Sequence, residues 1–357
     1  MKYILIFILI FGPKFGFFDT RLLLLPLLVF FDFQSNKIIV PILFLILYFF
    51  LKEILLYQSI DLTESLRLFK LLYVMLLITV FSKFFDYTLK DLAVILLVHV
   101  FFVIIMNEFQ FIRDLFHDIY GFSKSDKQFR SSGLTLGYDI SGFIAIISFI
   151  IWRNIKIRSL YRYIILISII TSVFLTSRVS LLVLFILLLY YSRNIILNNK
   201  LISGVLFLFV LLLFKDFIFD IYSQLIVLLG FVSSDLESYG GYAIYSLESL
   251  YDQIFTWPTN LEDWVFGYKD EKVDSGYSMI IMKYGLVGFL IILNFYRKLS
   301  KIVKINKNIF LTIILLMFVL NIKNEYFLTR GITEILLLLA FLNEKNEKKE
   351  NNFLTTL

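Results

Sequence analysis

Asp274-Ser-Gly-Tyr277-Ser-Met-Ile-Ile-Met-Lys283-Tyr-Gly285-Leu-Val-Gly288 is the stretch on which the fold turns. A long polar segment ends here and an apolar run begins. A carboxylate, a tyrosine and a turn-forming glycine stand at the junction, and Lys283 follows about 10 Å further in along a helix. That pattern is a membrane–water boundary. The rest of the chain agrees: 59% of its 357 residues are hydrophobic and 17% are charged, a balance that points to a multi-span membrane protein.

A spanning helix needs about 20 mainly apolar residues. Candidate spans fall near 2–12, 21–32, 38–56, 67–82, 91–107, 138–152, 161–176, 179–192, 201–219, 277–296, 309–321 and 331–343. The expected fold is therefore an all-α polytopic integral membrane protein of about 12 transmembrane helices. The first two runs are short and flank Pro13; read as a re-entrant hairpin, they leave ten. The N-terminal run lacks a small-residue cleavage site, so it reads as an uncleaved span. Apolar runs recur along the whole length, so residues 1–357 read as a single membrane domain. No internal repeat is visible, which argues against an inverted-repeat transporter.

Basic residues set the orientation. Arg153, Lys156, Arg158 and Arg162 crowd one short loop, and Arg297, Lys298, Lys301, Lys304 and Lys307 crowd another. With Arg193, Lys200 and the tail at 344–357, they fall on one side when the spans are counted. That side is the cytoplasmic one, and both termini face it. The net charge of +6 is a topology signal and makes no case for nucleic acid. The two long loops, about 107–137 and 220–274, then lie outside. Cysteine is absent, which removes disulfide and thiol chemistry, and two histidines do not make a histidine-rich metal site.

The outer loops carry the polar chemistry. Residues 220–274 hold ten carboxylates, Glu248 and Asp274 among them, against Lys269 and Lys272. They also hold Tyr245, Tyr251, Trp257 and Trp264. Such rings either stack on sugar C–H faces or form an interfacial aromatic belt. Residues 243–255 read as a helix with Glu248 and Asp252 together at i,i+4. The segment from Glu108 to Tyr120, which contains His117, reads as a short helix lying in the interface. His99 lies mid-span as a packed or hydrogen-bonded group.

Three arginines stand at outer span ends: Arg130, Arg178 and Arg330. The guanidinium fork matches a pair of phosphate oxygens, so convergence would make a diphosphate clamp; the alternative for each is snorkelling to lipid phosphates. Lys283 has the same two readings. Asp139 opens a span in Gly137-Tyr-Asp139-Ile-Ser-Gly142, either as a helix cap or as a catalytic or sugar-binding carboxylate.

At these residues the chain resembles the bacterial O-antigen and capsule repeat-unit polymerases (Wzy-type), within the wider O-antigen ligase/polymerase group. Thr176-Ser-Arg178-Val-Ser-Leu-Leu is similar to that group's Thr-x-Ser-Arg turn between two spans. Trp264-Val-Phe-Gly267-Tyr, then Asp274-Ser-Gly-Tyr277 and Tyr284-Gly285-Leu-Val-Gly288, is similar to the stretch closing its large external loop. Phe11-Gly-Pro13-Lys14-Phe-Gly, with Asp19 and Arg21, also has the family look. The likeness spans most of the chain through hydropathy and rests on few motif residues. Ligases of the group carry a histidine in the large loop and this chain has none there, which favours a polymerase. The loop also lacks the arginine that some polymerases place in it.

The resemblance implies a membrane glycosyltransferase of the bacterial inner membrane. A glycan on a polyprenyl diphosphate would pass to the non-reducing end of another lipid-linked unit on the external face, with no metal or cofactor. The partners implied are the polyprenyl-diphosphate-linked oligosaccharide, membrane lipids and a chain-length regulator. In this reading Asp274 is the first choice of base and Glu248 the second. Arg178, Arg130, Arg330 and Lys283 would hold the diphosphate. Tyr277, Tyr245, Trp264 and Asp139 would contact sugar. The rivals are a flippase for the lipid-linked unit and an O-antigen ligase.

Overall fold

A computed structural model describes residues 1–12, 14–15, 18–30, 38–57, 62–120, 132–135, 137–155, 159–198, 257–267, 275–304, 306–322 and 324–342. Among the described residues, apart from one two-residue strand pair, β1 (Lys14–Phe15) against β2 (Phe18–Asp19), the regular structure is helical. In chain order come α1 (Lys2–Phe11), a 3-10 helix (Thr20–Phe30), α2 (Ile39–Tyr57), α3 (Leu62–Phe84), α4 (Leu89–Glu108) and α5 (Gln110–Tyr120). Then follow α6 (Tyr138–Arg153), α7 (Ser159–Phe174), α8 (Arg178–Asn198), α9 (Leu261–Phe266), α10 (Gly276–Ile302), α11 (Lys307–Leu320) and α12 (Ile332–Ala340).

Every span expected within the described residues falls on a helix. Four of these are long and apolar enough to cross a membrane: Ile39–Leu56, Glu64–Phe84, Leu89–Glu108 and Gly276–Ile302. The others are shorter. At 1.5 Å per residue, the 10 residues of α1 reach about 15 Å, half a hydrocarbon core. The expected span at 201–219 and the expected helix at 243–255 lie outside the described residues. The helix expected from Glu108 to Tyr120 is present as α5, with Phe116 packed on Phe102 of α4 at 4.9 Å between ring centroids.

Contacts divide the chain into two units, Met1–Leu181 with Gln253–Leu357, and Leu182–Asp252. The described part of the second unit is the stretch of α8 from Leu182 to Asn198. In the first unit α6 has its core buried from Ser141 to Trp152, packed on α4 and α7. Gly142 lets α6 lie close to the start of α8 and the turn before it, where a Cβ would meet the Ser180 hydroxyl oxygen at 2.5 Å. Helix starts are capped by local chemistry. Thr88 and Asp91 form a reciprocal capping box at α4, and the Ser275 hydroxyl accepts from the Ser278 N–H at α10.

α10 is broken. Gly285 sits at φ 64°, ψ −177°, inside an otherwise helical 27-residue run. That backbone conformation is open to glycine and closed to residues with a side chain. The break accommodates the end of α9: a Cβ on Gly285 would stand 2.2 Å from the Val265 carbonyl oxygen. Gly267, at φ 88°, makes the matching approach from the other side. α2 supplies donors to the carbonyls released there. Tyr48 Oη lies 2.9 Å from the Tyr284 oxygen and 3.1 Å from the Phe266 oxygen, and Lys52 Nζ donates to the Lys283 oxygen at 2.5 Å.

Candidate functional site

A cavity of about 750 Å³ opens where the end of α1 meets the starts of the 3-10 helix, α3, α6, α10 and α12. Its lining is mixed. Ile10, Phe11, Leu71, Leu134 and Met279 are apolar, while Arg21, Arg67, Lys70, Arg330, Asp139, Glu325 and Glu334 are charged. Charged groups at the ends of apolar helices are costly unless partnered or hydrated, so their arrangement is informative.

Arg21 is held on both sides. Its fork meets Asp19 at 2.7 and 3.0 Å, and its Nη1 meets Glu334 at 3.0 Å. All three residues are buried. Burial pushes the Asp19 carboxyl up, and the hydrogen bonds and charge of Arg21 outweigh it, leaving Asp19 below its ordinary value. The second Glu334 oxygen accepts from the Gly331 N–H at 2.6 Å and so caps α12. One network thus ties the 3-10 helix to the last helix, across 313 positions of sequence.

Arg67 is held in the same way, by Glu325 at 2.6 Å and Glu64 at 3.5 Å. Glu64 also receives Lys283 at 3.0 Å and a short hydrogen bond from the Tyr284 hydroxyl. Arg330 donates to the carbonyls of Phe11 and Gly12. Lys70, one turn beyond Arg67, differs. It is exposed, lines the cavity, and has no partner among the described residues.

Asp139 lies on a different part of the lining, in the first turn of α6. Its two carboxylate oxygens accept from the Ser177 hydroxyl and the Asn324 side-chain amide, both through short hydrogen bonds. Ser177 belongs to the tight turn between α7 and α8, and Asn324 to the connection between α11 and α12. Beside it the Tyr326 phenol is pushed up, first by burial and then by the Asp139 charge, so it stays neutral.

The floor beneath Asp139 rests on His99. The Leu134 N–H donates to His99 Nδ1 at 3.3 Å, so the ring proton sits on Nε2, which donates to the Ser141 hydroxyl at 3.0 Å. Phe11 stacks on the same ring at 5.2 Å. His99 is therefore a packed, hydrogen-bonded group, as read from the sequence, and it holds Leu134 at the cavity wall.

Of the residues singled out in the sequence, Arg330 and Asp139 reach the cavity lining. Lys283 joins the Glu64 network beside it. Arg178 begins α8, immediately after Ser177, and its side chain is exposed outside the lining. Tyr277 donates its hydroxyl to the Phe318 carbonyl at 2.7 Å and packs on Phe327. Trp264 stacks flat on Trp257 at 5.3 Å. Neither ring lines the cavity. Asp274, Glu248, Arg130 and Tyr245 lie outside the described residues.

Sequence reasoning passed over Glu64, Arg67, Lys70, Asn324, Glu325 and Glu334. The signal was there: Glu64, Arg67 and Lys70 share one face at the start of a span, and Glu325, Arg330 and Glu334 surround the start of another.

Nothing matches this chain in comparisons with protein-family models, curated proteins and solved structures. The apolar helices make it a membrane protein of all-helical build.

Proposed function

We propose that this protein is a polymerase of lipid-linked oligosaccharide repeat units, a membrane glycosyltransferase of the bacterial inner membrane with both termini cytoplasmic. The observation that carries the reading is the charged cavity at one end of the helices. Its volume, about 750 Å³, is within the range of small-ligand sites. The span ends around it are those that the basic loops assign to the outside, where a lipid-linked glycan would be met. Paired arginines and carboxylates offer fixed donors and acceptors to sugar hydroxyls.

In this reading Lys70 meets the polyprenyl diphosphate, with Arg330 behind it and with Arg178 and Arg130 as further anion contacts. The exposed apolar neighbours Leu66 and Phe69 on the same helix suit a prenyl chain in the outer leaflet. The leaving diphosphate would find a cation whose charge is not already committed to a carboxylate. Support also comes from the resemblance at Thr176–Arg178 and at the close of the large loop.

Deletion of the gene is the test. The expected surface glycan is a single repeat unit on its acceptor lipid, restored to long chains by the intact gene. Long chains persisting in the deletion strain would remove the reading. A unit stranded on the inner face would make the protein a flippase, and an acceptor lipid with no glycan at all would make it a ligase.

A further inference from the structure

We propose that Trp257 and Trp264 form a glycan-binding platform outside the cavity, on which the finished part of a growing chain rests. The proposal rests on the glycosyltransferase reading above and adds a second sugar subsite to it.

The two indoles stack nearly parallel, with 5.3 Å between centroids and 10° between planes, and both are half-exposed. Stacked in this way they present a flat apolar surface with an electron-rich face, which suits the polarised C–H face of a sugar ring. The rim of the pair is polar. Asn260 and Glu262 are exposed, and Asp263 is half-exposed. Neither indole N–H has a partner among the described residues, and there the Asp263 carboxylate meets the Asn260 amide alone, at 3.4 Å. Donors and acceptors around the rings are thus open to sugar hydroxyls. An interfacial aromatic belt would set the same rings among lipid headgroups. Charge argues against that: residues 257–267 carry two carboxylates and no lysine or arginine, so a lipid phosphate meets like charge and no cation.

α9 carries no buried side chain, so core packing does not account for it. The fold fixes it all the same. Gly267 and Gly285, both at positive φ, let its end meet the break in α10, and Tyr48 holds the Phe266 carbonyl at 3.1 Å. A rigid mount lowers the cost of ordering the rings around a ligand. The mount stands near the cavity. Lys283 and Tyr284, just before Gly285, bond Glu64, and Glu64 bonds the cavity-lining Arg67. A chain leaving the cavity would meet the platform at that end of the molecule.

The test uses the purified full-length protein in lipid nanodiscs and the surface glycan of the wild-type strain, freed from its lipid by mild acid. Trp257→Ala and Trp264→Ala are each expected to weaken glycan binding by about 10-fold or more, the scale of a truncated tryptophan anchor, and Trp264→Phe to keep part of it. The alanine variants should also shorten the chains built from the extracted lipid-linked unit, while their melts match the wild type because neither ring is buried. Wild-type affinity in both alanine variants would overturn the platform. So would tryptophan emission that brominated phospholipid quenches and the glycan leaves unchanged, which would give the rings to the membrane. Glycan binding by a wild-type protein that leaves the unit unextended would keep the platform and remove the polymerase reading. Chain extension by a wild-type protein that does not bind the glycan would do the reverse.

Discussion

Gly285→Ala should unseat the end of α9. Two costs add at this position. Alanine at φ 64°, ψ −177° occupies a region essentially reserved for glycine, at about 1–3 kcal/mol. The new Cβ would also stand 2.2 Å from the Val265 carbonyl oxygen, 2.5 Å from its carbon and 2.6 Å from the Gly267 nitrogen. These are backbone atoms, so no rotamer change relieves the clash and the end of α9 must lift. Lifting it removes the Phe266 carbonyl from Tyr48, a hydrogen bond worth about 1 kcal/mol. The sum is about 2–4 kcal/mol, which should lower the melting temperature of the detergent-solubilised protein by several degrees. Gly137→Ala is the control, since its Cβ would have nothing nearer than 3.8 Å and its φ is −159°. If Gly285→Ala melts with the wild type, the helix break and the seating of the α9 end in it are wrong.

Arg21→Met should be more damaging than the loss of a surface charge, because it leaves Asp19 and Glu334 buried together without their cation. Breaking such a pair costs about 3–5 kcal/mol, and a thermal melt showing no loss would contradict the network. Lys70→Ala should leave the melt unchanged and weaken capture of the lipid-linked unit by roughly 10- to 100-fold, the scale of one charge-assisted hydrogen bond; unchanged binding would remove Lys70 from the site. Asp19 sets a pH dependence. Its carboxyl lies below the ordinary value when folded, so the stability it contributes is present above the unfolded value near 3.8 and is lost as pH falls through the folded one. Melting temperature followed from pH 7 down to pH 3 should fall at the acid end, and Asp19→Asn should make that fall shallower.

The sequence showed the helices because apolar runs of spanning length are a local signal, and each described run is helical. It showed Asp139 as a carboxylate opening a span, since position along the chain alone reveals that. It could not show that Ser177 and Asn324 hold it, because they lie 38 and 185 positions away. The pairing of Arg21 with Glu334 is hidden for the same reason, and with it the commitment of arginines to carboxylates rather than to a ligand. In the sequence Gly285 figures only in the likeness carried by Tyr284-Gly285-Leu-Val-Gly288. What breaks α10 there is contact with Val265 and Gly267, and no local propensity encodes that contact. Arg178 stood out because the turn before it is tight. The tightness is real, with Thr176 and Ser177 buried, yet the side chain that follows them is exposed and outside the cavity lining.

Polymerase function is tested most directly by incubating the purified protein, in lipid nanodiscs, with the extracted lipid-linked repeat unit as the sole substrate. A ladder of products differing by one repeat unit, with release of one polyprenyl diphosphate per bond formed, is the predicted result. Unit that stays at single length, with no diphosphate lipid released, would contradict it.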